Sequence, residues 1–146
     1  MDIFNKKSIR VNLIYDFIED LEFQFEQENF KDFLSLCISI PQYIMKNGLY
    51  NTLSFMIKGK EDDDEFQEKA SQIIKIYGQL IHTGDIFKLC SNLKVDTEEI
   101  EYEEFDGFLD SIKNLSTKEY MILVTNSLEF FIDLKEICEN FKEKIK

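Results

Sequence analysis

The sequence has no tryptophan, one histidine, one proline, five glycines and a marked shortage of basic residues. Each scarcity excludes something. With His82 as the only histidine, there is no second imidazole for a zinc site and no set of convergent partners for nucleophilic catalysis. At the end of an apolar stretch, His82 reads as a packing or capping residue. No H-E-x-x-H, Walker or G-x-S-x-G pattern occurs, so the sequence offers no catalytic residue, no metal ligand and no cofactor, and the chain reads as a non-enzyme. The three cysteines, Cys37, Cys90 and Cys138, are odd in number and show no C-x-x-C spacing. They suggest neither a disulfide framework nor zinc, and buried thiols are the expectation. No apolar run approaches the roughly 20 residues of a membrane span. Lys6 and Lys7 are followed by a stretch that Arg10 and Asn12 interrupt, which is not a signal-peptide pattern. The expectation is a cytoplasmic protein. Finally, 17 basic residues face 29 acidic ones, for a net charge of −12. A free chain so charged repels bare phosphates at long range, which excludes strong non-specific binding to nucleic acid but not a local basic patch.

What the sequence has is phenylalanine, 14 copies, and six tyrosines within 146 residues. That is the size of one domain and enough apolar material for a sizeable core. Apolar positions recur at helical spacing, and no alternating run is bounded by turn residues, so a sheet is not expected. Caps and breaks predict a compact all-α bundle of about six or seven helices in a single domain, 1–146. Its organising stretch is Ser35 to Lys60. A first helix with Ile38, Ile40, Ile44 and Met45 reaches Lys46 and stops at Asn47-Gly48, where glycine can take the left-handed conformation a helix end needs. A second starts at once, with Leu49, Leu53, Met56 and Ile57 on one side and Phe55 beside them. Gly59 closes it. Pro41 inside the first helix costs roughly 3 kcal/mol and calls for tertiary support.

Before this stretch, Ser8 is a candidate cap for a helix whose stripe is Ile9, Leu13, Phe17, Leu21 and Phe25, widened by Ile14 and Ile18. A second helix begins near Asn29. After it, Glu61-Asp62-Asp63-Asp64-Glu65 lacks the alternating ligands and glycine of a calcium loop and reads as a solvated acidic helix start. Phe66, Ala70, Ile73, Ile74, Tyr77, Leu80 and Ile81 follow on one face, as far as His82-Thr83-Gly84. Asp85 caps a short helix with Ile86, Phe87, Leu89, Cys90 and Leu93. The segment 94–115 is acidic, dense in carboxylates from Asp96 to Asp106. It reads as a loop and then a short helix carrying Phe105, Phe108, Leu109 and Ile112. Ser116-Thr117-Lys118-Glu119 is a capping box. It opens the longest periodic run, with Tyr120, Val124, Ser127, Phe131, Leu134, Cys138 and Phe141 in register.

Lys46, Asn47, Lys58 and Lys60 gather at the ends of the helix after the corner, about 15 Å apart. They are either dipole-balancing helix-end residues or contacts for a phosphate backbone. The aromatics mostly fall on core stripes and none is read as a base-stacking platform, with Tyr43, Tyr50 and Tyr102 the candidates left open.

The run Pro41-x-x-Ile44-x-x-Asn47-Gly48-Leu49, with Leu53, Phe55 and the lysines up to Lys60, resembles the small subunit of type III-B CRISPR effector (Cmr) complexes. So do the block Ala70 to Tyr77 and the terminal helix from Tyr120 to Cys138. The resemblance implies a compact helical protein without nuclease activity. It would stack head to tail with copies of itself, beside a filament of backbone subunits that holds the guide RNA, and would help clamp target RNA. Membrane and small-molecule partners are not implied. Carried onto this sequence, it makes Lys46, Asn47, Lys58, Lys60 and Lys135 the candidate RNA contacts. The chain departs from the family pattern at Asp133-Leu134-Lys135-Glu136, where an aromatic and a basic residue have become acids, and in the acidic segment 94–115. A different reading of the same charge is an acidic interaction protein, such as an immunity protein or a nucleic-acid-mimicking inhibitor.

Overall fold

The computed structural model describes residues 3–58, 64–82 and 105–145, and all its regular structure there is helical. These residues form α1 (Ile3–Gln24), α2 (Gln27–Asn47), α3 (Leu49–Lys58), α4 (Asp64–His82), α5 (Phe105–Lys113) and α6 (Thr117–Lys144). Gly59 as a helix stop, Lys60, the short helix after Asp85, Cys90, Tyr102 and most of the acidic segment lie outside the described residues.

The longest helix, α6, starts where its capping box predicts. Ser116 Oγ accepts from the Glu119 N–H at 3.1 Å, and the Ser116 N–H donates to Glu119 Oε1 at 3.2 Å. Together they satisfy two donors that a helix start otherwise leaves bare. Lys142 and Lys144 in its last turn suit the negative helix end. The most extensive helix–helix contact is between α6 and α2. The two run antiparallel. Phe30 meets Phe141 edge-on at 6.2 Å, and Lys142 Nζ donates to Ser35 Oγ at 3.0 Å. Further along, the Tyr50 N–H reaches Tyr120 Oη at 3.4 Å. Pro41 lies within α2 and is buried. The tertiary support its missing donor calls for is the core itself.

The corner after α2 falls at Gly48, as the sequence predicts, but its conformation differs. Gly48 has φ 86° and ψ 159°. This is not the left-handed helical region but an extended one with positive φ, open essentially to glycine alone. The chain is thereby straight for one residue, and α3 can start at Leu49. The Gly48 N–H donates to the Ile44 carbonyl at 2.8 Å, while the Gly48 carbonyl accepts from Thr52 N–H and Oγ1 at 3.1 and 2.8 Å. A Cβ here would meet nothing within 4 Å, so any substitution cost is a backbone cost. Gly48→Ala and Gly48→Asn are both expected to lose about 1–3 kcal/mol, read as a lower urea midpoint at unchanged m-value. Asparagine would be the milder change only if the corner were left-handed helical.

In α1 two expectations are corrected. The helix begins at Ile3, so Ser8 lies inside it and caps nothing. Its inward stripe is Ile14, Ile18 and Leu21, with Val11, Phe17 and Phe25 half-buried. Ile9 and Leu13 are 51% and 44% exposed. The physical reason is Arg10. It stands four residues before Ile14, on the inward stripe, because its guanidinium reaches a buried carboxylate on α6. The apolar face is therefore turned away from Ile9 and Leu13.

The centre of the core is Tyr77 of α4, fully buried. Its ring lies 6.1 Å from Phe108 of α5 and 5.6 and 5.2 Å from Phe130 and Phe131 of α6. Its hydroxyl is 2.7 Å from Ser127 Oγ. Two cysteines are buried and unpaired, Cys37 on α2 and Cys138 on α6. Burial, and then the neighbouring Cys138 thiol, push Cys37 well above the ordinary 9.0. The folded protein therefore keeps a proton that the unfolded chain gives up. This contribution to stability is intact below the unfolded pKa and declines as pH rises past it. Denaturation midpoints are expected to fall from about pH 8.5 to pH 10, near the ordinary cysteine range, with a shallower fall in Cys37→Ala.

Candidate nucleic-acid interface

Of the five predicted contacts, the structure brings Lys46 and Asn47 together, exposed, at the last turn of α2. Lys58 is the last residue of α3, with its side chain outside what is described, as Lys60 is entirely. A ten-residue helix spans about 15 Å, so Lys46 and Lys58 sit at opposite ends of α3. Lys135 is half-buried on α6. The antiparallel register places it beside the middle of α2, about 10 Å along the axis from the level of Lys46. Of the four described, Lys46 and Asn47 are a corner pair, Lys58 ends α3 at its far side and Lys135 stands apart, so they do not form one cluster.

Lys46 is not needed to satisfy the end of α2. The Ile44 carbonyl is taken by Gly48 N–H, the Asn47 carbonyl by Asn51 Nδ2 at 2.9 Å, and the Gly48 carbonyl by Thr52. No carboxylate pairs with the Lys46 ammonium among the described residues. The start of α3 lies next to it and carries no acid in its first turn, so its positive end offsets the negative end of α2 there. In a chain of net charge −12, this corner is a locally cationic place.

A feature the sequence did not show lies one turn back. Tyr43 is 47% exposed, and its ring stacks on Phe55 of α3 at 6.5 Å and 27°. Phe55 in turn meets Phe66 of α4 at 5.3 Å, nearly edge-on. Beside Tyr43 is a hollow of about 260 Å³ lined, among the described residues, by Ser39, Gln42, Tyr43 and Lys46. The signal was present as spacing: residues 39, 42, 43 and 46 share the outward face of α2. It was hidden because Phe55 and Phe66 read as parts of two separate apolar stripes. Tyr50, the other stacking candidate described, is engaged within the fold. Lys113 Nζ sits 5.5 Å from its ring, and the bond to the Tyr50 side chain raises the Lys113 pKa.

The acidic departure on α6 also changes meaning. Asp133 is buried, and its Oδ2 accepts from Arg10 Nε at 2.8 Å and Nη2 at 2.7 Å. Arg10, the only arginine in the sequence, also approaches Glu129 at 3.9 Å. Asp133 therefore presents no free negative charge to a ligand near Lys135. Glu136 is exposed and does. Among the described residues no group of three or more His, Cys, Asp or Glu could hold a metal ion, and no helix is long and apolar enough to cross a membrane.

A family model described as CRISPR-associated protein (Cas_Cmr5) matches residues 7–141, from within α1 to near the end of α6. Comparisons with curated proteins and with solved structures gave no match.

Proposed function

The chain belongs to the CRISPR-associated Cas_Cmr5 family, and from that premise we propose that it is the non-catalytic small subunit of a type III-B RNA-guided effector complex. The observation that carries this reading is the family match, which takes in nearly the whole bundle. In that role residues 1–146 act as one unit, in the cytoplasm, and stack head to tail with further copies. Such contacts are heterologous and need two different patches on each copy. The acidic run from Asp96 to Asp106 is the candidate for one of them, facing lysines of the neighbour.

Lys46, Asn47, Lys58, Lys60 and Lys135 supply contacts to the backbone of the target RNA. A lysine beside a phosphate displaces counterions, so each contact makes binding weaker as salt rises. It positions the strand without reading its sequence, which suits a particle that reads sequence by base pairing. The strongest support at residue level is the Lys46–Asn47 corner, exposed and free of any described carboxylate partner. With a charge of −12, the isolated subunit should hold RNA poorly, and assembly with the other subunits supplies most of the affinity.

Native mass spectrometry of the protein purified from its host, with nucleic acid retained, tests this. The expected result is a particle containing several different subunits, more than one copy of this chain, and RNA. Raising salt should release the target strand sooner from a particle carrying Lys46→Ala. Finding the chain alone, or bound to a single basic protein without RNA, would overturn the reading and favour an acidic inhibitor.

A further inference from the structure

The outward face of α2 combines three features in one place. The Tyr43 ring is half in solvent with one side engaged: Phe55, itself 41% exposed, stacks with it at 6.5 Å, and Phe66 abuts Phe55. Next to it is the hollow of about 260 Å³, below the usual size of a pocket for a drug-sized ligand and closer to that of one flat ring. Its described lining is polar: the Gln42 amide, the Ser39 hydroxyl and the Lys46 ammonium. The Ser39 hydroxyl donates to the Leu36 carbonyl at 2.7 Å, which leaves its oxygen free to accept.

We propose that Tyr43, backed by Phe55, is a stacking platform for one unpaired base of a single-stranded RNA, with Gln42 and Ser39 at the base edge and Lys46 on the adjoining phosphate. This rests on the RNA-holding role above and deepens it, because it names unpaired rather than duplex RNA as what this face takes. A ring with one side already engaged has less freedom of its own to lose on stacking. Sites for single strands combine such rings with cations and tolerate any base, since every base has a flat face. A duplex offers the same phosphates to Lys46 but no free base face to Tyr43. A helical peptide would need a long apolar groove, whereas this hollow is short and carries a cation at its end. The positions fit one strand: Lys46 is three residues from Tyr43 on the same helix, hence adjacent to it on the surface.

The test uses the assembled complex loaded with target RNA that carries 5-iodouridine at single positions, including unpaired ones. Irradiation joins iodouridine to an aromatic ring stacked on it. The expected adduct maps to Tyr43, forms only at unpaired positions, disappears in Tyr43→Ala and persists in Tyr43→Phe. Retention of single-stranded RNA should fall about tenfold in Tyr43→Ala, while retention of duplex RNA stays unchanged. RNA that binds normally but forms no adduct at Tyr43 would overturn the platform and leave the RNA-holding role standing. A Tyr43→Ala complex that loses a protein subunit while its retention of single-stranded RNA is unchanged would show that this face meets protein, and would also overturn it. A complex that retains no RNA at all, whichever variant is present, would remove the broader reading with it.

Discussion

Arg10→Ala is expected to destabilise the fold by about 3–5 kcal/mol. The magnitude follows from where the two charges sit. The Arg10 and Asp133 side chains are 11% and 6% exposed, and two guanidinium nitrogens hold the same carboxylate oxygen at 2.7 and 2.8 Å. Bringing both charges out of water is costly, and their mutual attraction offsets that cost only while both are present. Removing Arg10 leaves the Asp133 carboxylate with little water around it and no described cation beside it. The reverse change, Asp133→Leu, leaves the inward guanidinium with Glu129 at 3.9 Å and should cost less. Replacing both, as Arg10→Met with Asp133→Leu, should restore most of the loss, because the site can then pack as core. The cycle is read from urea midpoints. Lys31 and Glu28 provide the contrast: they lie 3.9 Å apart at 40% and 86% exposure, and their loss should cost no more than about 1 kcal/mol. High salt should weaken that exposed pair and leave the Arg10–Asp133 effect nearly intact. By the same logic, an aromatic at position 133 should be tolerated only once Arg10 has also been replaced.

That ion pair marks the boundary of what the sequence could show. Helices defined by nearby residues were legible. The Ser116–Glu119 capping box and the periodicity behind it placed α6, and Asn47-Gly48 between two apolar runs placed the corner between α2 and α3. Failures occurred where the deciding partner was far away in the chain. Arg10 and Asp133 are 123 residues apart, so nothing near Arg10 signals that it belongs to the inward stripe, and Ile9 and Leu13 look the better core residues. Asp133 reads as one more solvated acid for the same reason. At the candidate interface, Lys46 and Asn47 were legible because a corner exposes its residues. The half-burial of Lys135 was not, since it depends on how α6 packs. The stack of Tyr43, Phe55 and Phe66 joins three helices, and Phe55 and Phe66, seen alone, read as parts of two separate apolar stripes.

Tyr77→Ala should be about as damaging as the loss of Arg10, at about 3–5 kcal/mol, the range for removing a large buried aromatic. Tyr77 has no exposed surface, and its ring is bounded by Phe108, Phe130 and Phe131 at 5.2 to 6.1 Å. These rings come from α5 and α6, and a packed core of this kind relaxes only in part over the space left by a large side chain. A cavity should therefore remain, and the variant should bind small apolar molecules there. The hydroxyl can be tested separately. Tyr77→Phe keeps the ring but leaves the buried Ser127 hydroxyl without its partner at 2.7 Å, which should cost about 1–3 kcal/mol. Adding Ser127→Ala removes the stranded group and should recover most of that loss. If Tyr77→Phe were neutral by itself, the Ser127 hydroxyl would have turned to the Leu123 carbonyl one turn back on α6, as Thr125 does to Met121. The two parts of this residue therefore act differently: the ring supplies the bulk of the stability, and the hydroxyl fixes α4 against α6. Since α4 also carries Phe66, the last ring behind Tyr43, loss of the Tyr77 ring should also loosen the Tyr43 platform, whereas Tyr77→Phe should leave the Tyr43 photo-adduct in place.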